Sequence, residues 1–344
     1  MMQHPLPIRK IFHQCHRGTN KLQTGFSVIE LLVGLVIFAI VLGAVFGLLE
    51  VGRSGRLNTN MRAEALQNAR IALNTVGRDI INSGVGYPNV GALVPDNEVA
   101  TLFGGTADAD TTLDFVTPIY ARDNTGSVNG TATDQITIAF IDDAFNNSIS
   151  IPINGIASDG SQLTIQTSGG YSNAPCQVGD IYLIGGQTSA AALGMLTGKA
   201  GTDRLNFQSG AADPLNLNQP GAGSAIKQIA LPGSLQRITL AKYYVVDEDG
   251  TGSNTGTLMR DVYGGATGWT AQPLAFGVEN FQVQYIMKDG TVADAPASDQ
   301  MVNIRQVRVS ITVRSPDIDP KTNQPFRTSL TATYSARNLD YEKF

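Results

Sequence analysis

The sequence predicts an α+β protein in which one long N-terminal α-helix, its first half embedded in a membrane, packs on a mainly antiparallel, β-rich globular head. Three observations carry this expectation. Residues 31–49, LLVGLVIFAIVLGAVFGLL, run without a charge. No proline falls between Pro7 and Pro88, so one helix is free to extend from Phe26 to about Ser83. Further on, segments such as 135–140 and 307–314 alternate apolar and polar residues, the period of a strand with one wet face.

These boundaries divide the 344 residues into a basic leader (1–25), a transmembrane and stalk helix (26–83) and a β-rich globular head (84–344). The leader holds Arg9, Lys10, Arg17 and Lys21 and no acid, whereas the whole chain carries a net charge of −5. A basic segment ahead of an apolar run is the pattern of a cytoplasmic flank. The acidic remainder has no general attraction to nucleic acid, which is excluded as a partner.

At about 1.5 Å per residue the apolar run nearly crosses a hydrocarbon core of about 30 Å. A secretory signal has a shorter apolar core and ends at a small-residue cleavage site. Here the run continues into a helix-forming segment, so a retained anchor is expected. In the second half of the helix Leu57, Met61, Ala65, Ala69, Leu73, Val76 and Ile80 recur every three or four residues as one apolar stripe. Arg53, Arg56, Asn60, Glu64, Gln67, Asn74 and Arg78 occupy the other faces. The run SGVGYP at 83–88 supplies glycines and a proline to stop the helix.

In the head, strands are expected at 111–120, 135–140, 147–153, 162–167, 180–184, 237–246, 257–263, 281–285, 307–314 and 328–337. Residues 185–232, rich in Gly, Ala, Asn and Pro, read as a long loop with a short helix near 188–197. Phe115, Tyr120, Tyr243, Tyr244, Phe281 and Tyr285 fall on strand positions and are expected to pack in the core, with an exposed contact patch as the alternative.

The inventory of reactive groups is short. All three histidines, His4, His13 and His16, lie in the leader with Cys15. Without the leader the chain has no histidine and one cysteine, Cys176, which excludes His-based triads, His-ligated metals and an internal disulfide. Cys176 reads as a small buried side chain. Asp247-Glu248-Asp249-Gly250 resembles the opening of a calcium loop but lacks the later ligands, so an acidic hairpin turn is the reading. Asp108 and Asp110, and the segment Asp317-Ile318-Asp319-Pro320, read as solvated turns or loops. The Gly-Gly pairs at 104–105, 169–170, 185–186 and 264–265 lack the spacing and helix context of a phosphate cradle. No catalytic residue, cofactor or metal ligand is predicted, and an enzyme is not expected.

Glu30 stands five residues into an apolar segment. By itself it is either an interfacial acid that snorkels or a buried acid with a partner. The sequence around it, Gly25-Phe26-Ser27-Val28-Ile29-Glu30-Leu31-Leu32-Val33, closely resembles the class III signal of type IV prepilins and type II secretion pseudopilins. The resemblance implies that a prepilin peptidase cuts after Gly25, that Phe26 becomes the methylated N-terminus, and that Glu30 meets a neighbour's N-terminal amine. The leader is long for that family, and Gly43 and Gly47 replace the proline that major pilins commonly carry in this run, so a looser helix is expected there. The stretches 273–290, 302–315 and 327–338 resemble the end of PilW-type minor pilins, and 65–88 resembles that family's helix end.

The function implied is a minor pilin taking part in type IV pilus assembly or initiation. The alternatives are a J-type secretion pseudopilin and a membrane-tethered adhesive module. The implied partners are prepilin peptidase, other minor pilins and the major pilin, the inner-membrane assembly machinery, and membrane lipid before assembly. The implied location is a bacterial inner membrane, leader cytoplasmic and head periplasmic, and then the pilus fibre at the cell surface.

Overall fold

The computed structural model describes residues 25–104, 109–187, 190–248, 255–319 and 321–339. The chain divides between Gly55 and Arg56 into two compact units. Helix α1, Val28–Asn82, contributes residues to both.

In the first unit the apolar run of α1 has no polar side, and each described residue from Gly25 to Arg53 is exposed. It has the length and composition to cross a membrane. The helix runs unbroken through Gly43 and Gly47, because glycine lacks the ring that removes a backbone donor and clashes with the preceding turn.

In the second unit α1 is amphipathic. Met61, Ala65, Ala69, Leu73, Val76 and Ile80, the predicted stripe from 61 onward, are buried, as is Ala72. The helix end is capped where the Ser83 hydroxyl donates to the Ile80 carbonyl at 2.6 Å, and Gly84 then takes the left-handed conformation with φ +73°.

Strand β1 (Ala92–Val94) and a short helix α2 (Glu98–Phe103) follow. Next come β2 (Asp114–Val116), β3 (Ile119–Val128), β4 (Thr131–Ile141), β5 (Ile151–Ile156), β6 (Gln162–Ile165), β7 (Ile181–Gly185) and β8 (Ala191–Met195). The chain continues through β9 (Gly198–Ala200), β10 (Arg204–Asn206), β11 (Gly233–Asp247), β12 (Gly256–Tyr263), β13 (Trp269–Met287), β14 (Val292–Ala293), β15 (Ile304–Asp319) and β16 (Gln324–Ser335).

The sheet is mainly antiparallel, and β1 with β8 is parallel. Strand β11 organises it. Its first residues, Gly233 to Arg237, pair with β5 and β7, whereas Ile238 onward pairs with β4 and β12. From β12 the ladder passes through β13 and β15 to an edge at β16. Two apolar cores result. One joins the buried stripe of α1 from Ala65 to Ile80 to Tyr243, Phe281, Val283, Tyr285, Val307 and Val309. The other gathers Ile151, Leu163, Tyr182, Leu205, Phe207 and Leu235.

Three expectations are corrected. Residues 191–195 form β8 and not a helix. All five are buried, and antiparallel pairing with β7 overrides the helix preference of Ala, Leu and Met. Residues 188–189 lie outside the described residues. Phe115 is 51% exposed, so core packing does not describe it. Asp317 to Asp319 extend β15, with Ile318 opposite Pro325 after a bulge.

Candidate functional site

The segment at the start of α1 is built from local bonds. Gly25, Phe26 and Ser27 are non-helical and the helix begins at Val28. The first helical bond runs from the Leu31 N–H to the Ser27 carbonyl, 3.2 Å. Two reciprocal bonds lock this turn. The Glu30 N–H donates to Ser27 Oγ, and the Ser27 N–H donates to Glu30 Oε2, each at 3.2 Å. This is a capping box, which satisfies two of the donors that a helix start otherwise leaves open. Glu30 therefore has a hydrogen-bond partner within its own chain. The signal that finds it is Ser-x-x-Glu directly ahead of an apolar run.

Gly25 and Phe26 are both exposed. Phe26 is 86% exposed. A Cβ built on Gly25 meets nothing within 4 Å, and its φ is outside the left-handed range. Among the described residues no packing contact requires glycine at this position.

A second constellation fixes α1 to the sheet within the second unit. Asp79, with a side chain only 2% exposed, sits among the apolar stripe residues Val76 and Ile80. Its Oδ2 accepts from Tyr243 O–H, from Arg260 Nη2 at 2.8 Å and from Arg260 Nε at 3.0 Å. Arg260 Nε also donates to Tyr243 Oη at 2.9 Å. Burial, and then the neighbouring Asp79 carboxylate, push the Tyr243 phenol far above its ordinary range. One carboxylate from α1 is thus held by β11 and β12 together.

The remaining acidic and thiol groups named from the sequence do not converge on a reactive site. Asp110 Oδ1 accepts from the Thr112 N–H and hydroxyl at 2.7 and 2.8 Å, and these bonds close an exposed turn and lower its pKa. Asp108 lies outside the described residues, as do Asp249 and Gly250. The Glu248 N–H bonds the Thr255 carbonyl across that hairpin at 3.2 Å. Cys176 is buried, and burial pushes its thiol up to about 11. Among the described residues no group of three or more His, Cys, Asp or Glu side chains could hold a metal ion.

Sequence reasoning missed two buried carboxylates that the fold perturbs. Asp134 accepts from the Val283 N–H at 2.7 Å and the Asn124 N–H at 3.1 Å. Asp213 accepts from the Leu217 and Asn218 N–H groups at 3.2 and 2.6 Å. Burial raises each to about 6.

Two family models match the chain. The prokaryotic N-terminal methylation motif matches residues 20–46, which contain Gly25, Phe26, the capping box and most of the apolar run. The type IV pilus-assembly protein W family matches residues 242–341, from within β11 past the end of β16. That match takes in the three C-terminal stretches singled out in the sequence, while 65–88 lies outside it. No curated protein and no solved structure matches.

Proposed function

Because this chain is a type IV pilin-family protein, we propose that it works as a minor pilin, cut once by prepilin peptidase and then built into a filament. The observation that carries the reading is one coincidence. The methylation-motif match falls on the place where an exposed, non-helical Gly25–Phe26 bond precedes a fully apolar helical run.

On this reading residues 1–25 are the removed leader, Phe26 is the new, methylated N-terminus, and residues 84–344 are the head. The precursor sits in the bacterial inner membrane with the leader cytoplasmic and the head periplasmic. Assembly moves it into the fibre beside other minor pilins and the major pilin. Along residues 31–49, lipid is exchanged for neighbouring helices. Lipid tails are as apolar as leucine, so this exchange is driven by close packing and by polar contacts rather than by water release. The polar contact proposed is Glu30 with a neighbour's Phe26 amine, since each charge is costly in lipid without a partner.

The test is Gly25→Ala in cells that make the peptidase. The variant is expected to accumulate uncut, heavier than the native product by about 3 kDa, the mass of residues 1–25. Normal cutting of the variant contradicts the assignment of the bond.

A further inference from the structure

Resting on that reading and deepening it, we infer that Ser27 is the positioning residue for Glu30, and that the capping box holds this carboxylate in place both before and after the cut. The atoms that the box uses are the ground for this. It engages the N–H of Ser27, the N–H of Glu30, the Ser27 hydroxyl and Glu30 Oε2. Hydrolysis of the Gly25–Phe26 bond adds one water, leaves a carboxylate on Gly25 and places the new amine on Phe26. Ser27 N stays bonded to the Phe26 carbonyl carbon and remains an amide donor. Methylation of the Phe26 amine does not touch it either.

The box is therefore the same device in precursor and product. It answers how an acid can be carried in an apolar helix before any neighbour arrives, because one carboxylate oxygen always has a backbone donor at the positive end of the helix. A carboxylate has acceptor capacity on both oxygens, and among the described residues no bond to Glu30 Oε1 is found. The box thus folds the side chain back toward residue 27 and leaves Oε1 to accept from an incoming amine. Ser27 sets where that oxygen waits.

The experiment uses the full chain, expressed with its pilus machinery, and two readouts: the N-terminal mass of the membrane form and the amount recovered in sheared filaments. Ser27→Ala is expected to be cut at the native bond yet to reach filaments about five-fold less, the factor that loss of an N-cap worth about 1 kcal/mol gives. Ser27→Thr, which keeps a hydroxyl acceptor at the same place, is expected to restore native recovery. In detergent the Glu30 amide should exchange its proton faster in Ser27→Ala than in Ser27→Thr, which checks the bond itself. Native recovery of Ser27→Ala, or failure of Ser27→Thr to rescue it, overturns the inference. Glu30→Ala separates this from the underlying reading. If that variant also assembles normally, the pairing role of Glu30 is lost; if it fails while Ser27→Ala is normal, only the role of Ser27 is.

Discussion

Single side chains in the head carry charge in places that the fold makes expensive, and this sets two predictions. Asp134 and Asp213 bind protons more tightly folded than unfolded, because burial lifts both to about 6. Their contribution is complete below the ordinary carboxylate range and is lost as the pH rises through about 6. The head is therefore expected to melt higher at pH 5 than at pH 7.5, and Asp134→Asn should flatten that dependence in thermal unfolding of the detergent-solubilised chain. A change of about 2–4 °C is the scale that 1 kcal/mol gives in a domain this large. Arg260→Ala removes the better buried of two cations on Asp79, leaving only the exposed Arg78 with Nε 3.6 Å from Oδ1, and should destabilise by about 3 kcal/mol; Tyr243→Phe removes one hydrogen bond and should cost about 1 kcal/mol. Urea unfolding of the two variants beside the native protein checks the order. None of this is legible in the sequence, since Asp79 meets partners 164 and 181 residues away. The capping box, by contrast, is written in four consecutive residues.

At the scale of elements, α1 and the strands are readable for one reason: a Pro-free run with a three-to-four-residue stripe, and segments with strict alternation, each leave a single period open. Strand β8 is not, because Ala191-Ala192-Leu193-Gly194-Met195 has no alternation and favours a helix by composition. Only its neighbours decide it, and Gly194 lies so close to Phe207 and Ile226 that a Cβ would meet their side chains at 2.8 Å. A similar close approach docks α1. A Cβ on Gly77 would collide with the edge of the Tyr334 ring, whose hydroxyl donates to the Leu73 carbonyl at 2.8 Å. Gly77→Ala is therefore expected to destabilise the second unit by about 1–3 kcal/mol, the usual cost of overpacking. Tyr334→Ala in the same chain should recover part of that loss. Additive losses in the double variant would show that the two residues do not compete for this space.

For the whole molecule, one helix serves two solvents. Residues 25–53 are exposed and mostly apolar, while the stripe from Met61 to Ile80 is buried, most of it in the larger core. The division is legible as a change from uniform to one-sided apolarity. Everything turns on where the native polypeptide begins. The most direct measurement is the N-terminal mass of the protein isolated from piliated cells. A chain starting at methylated Phe26 is the expected result, and a chain starting at Met1 would contradict it.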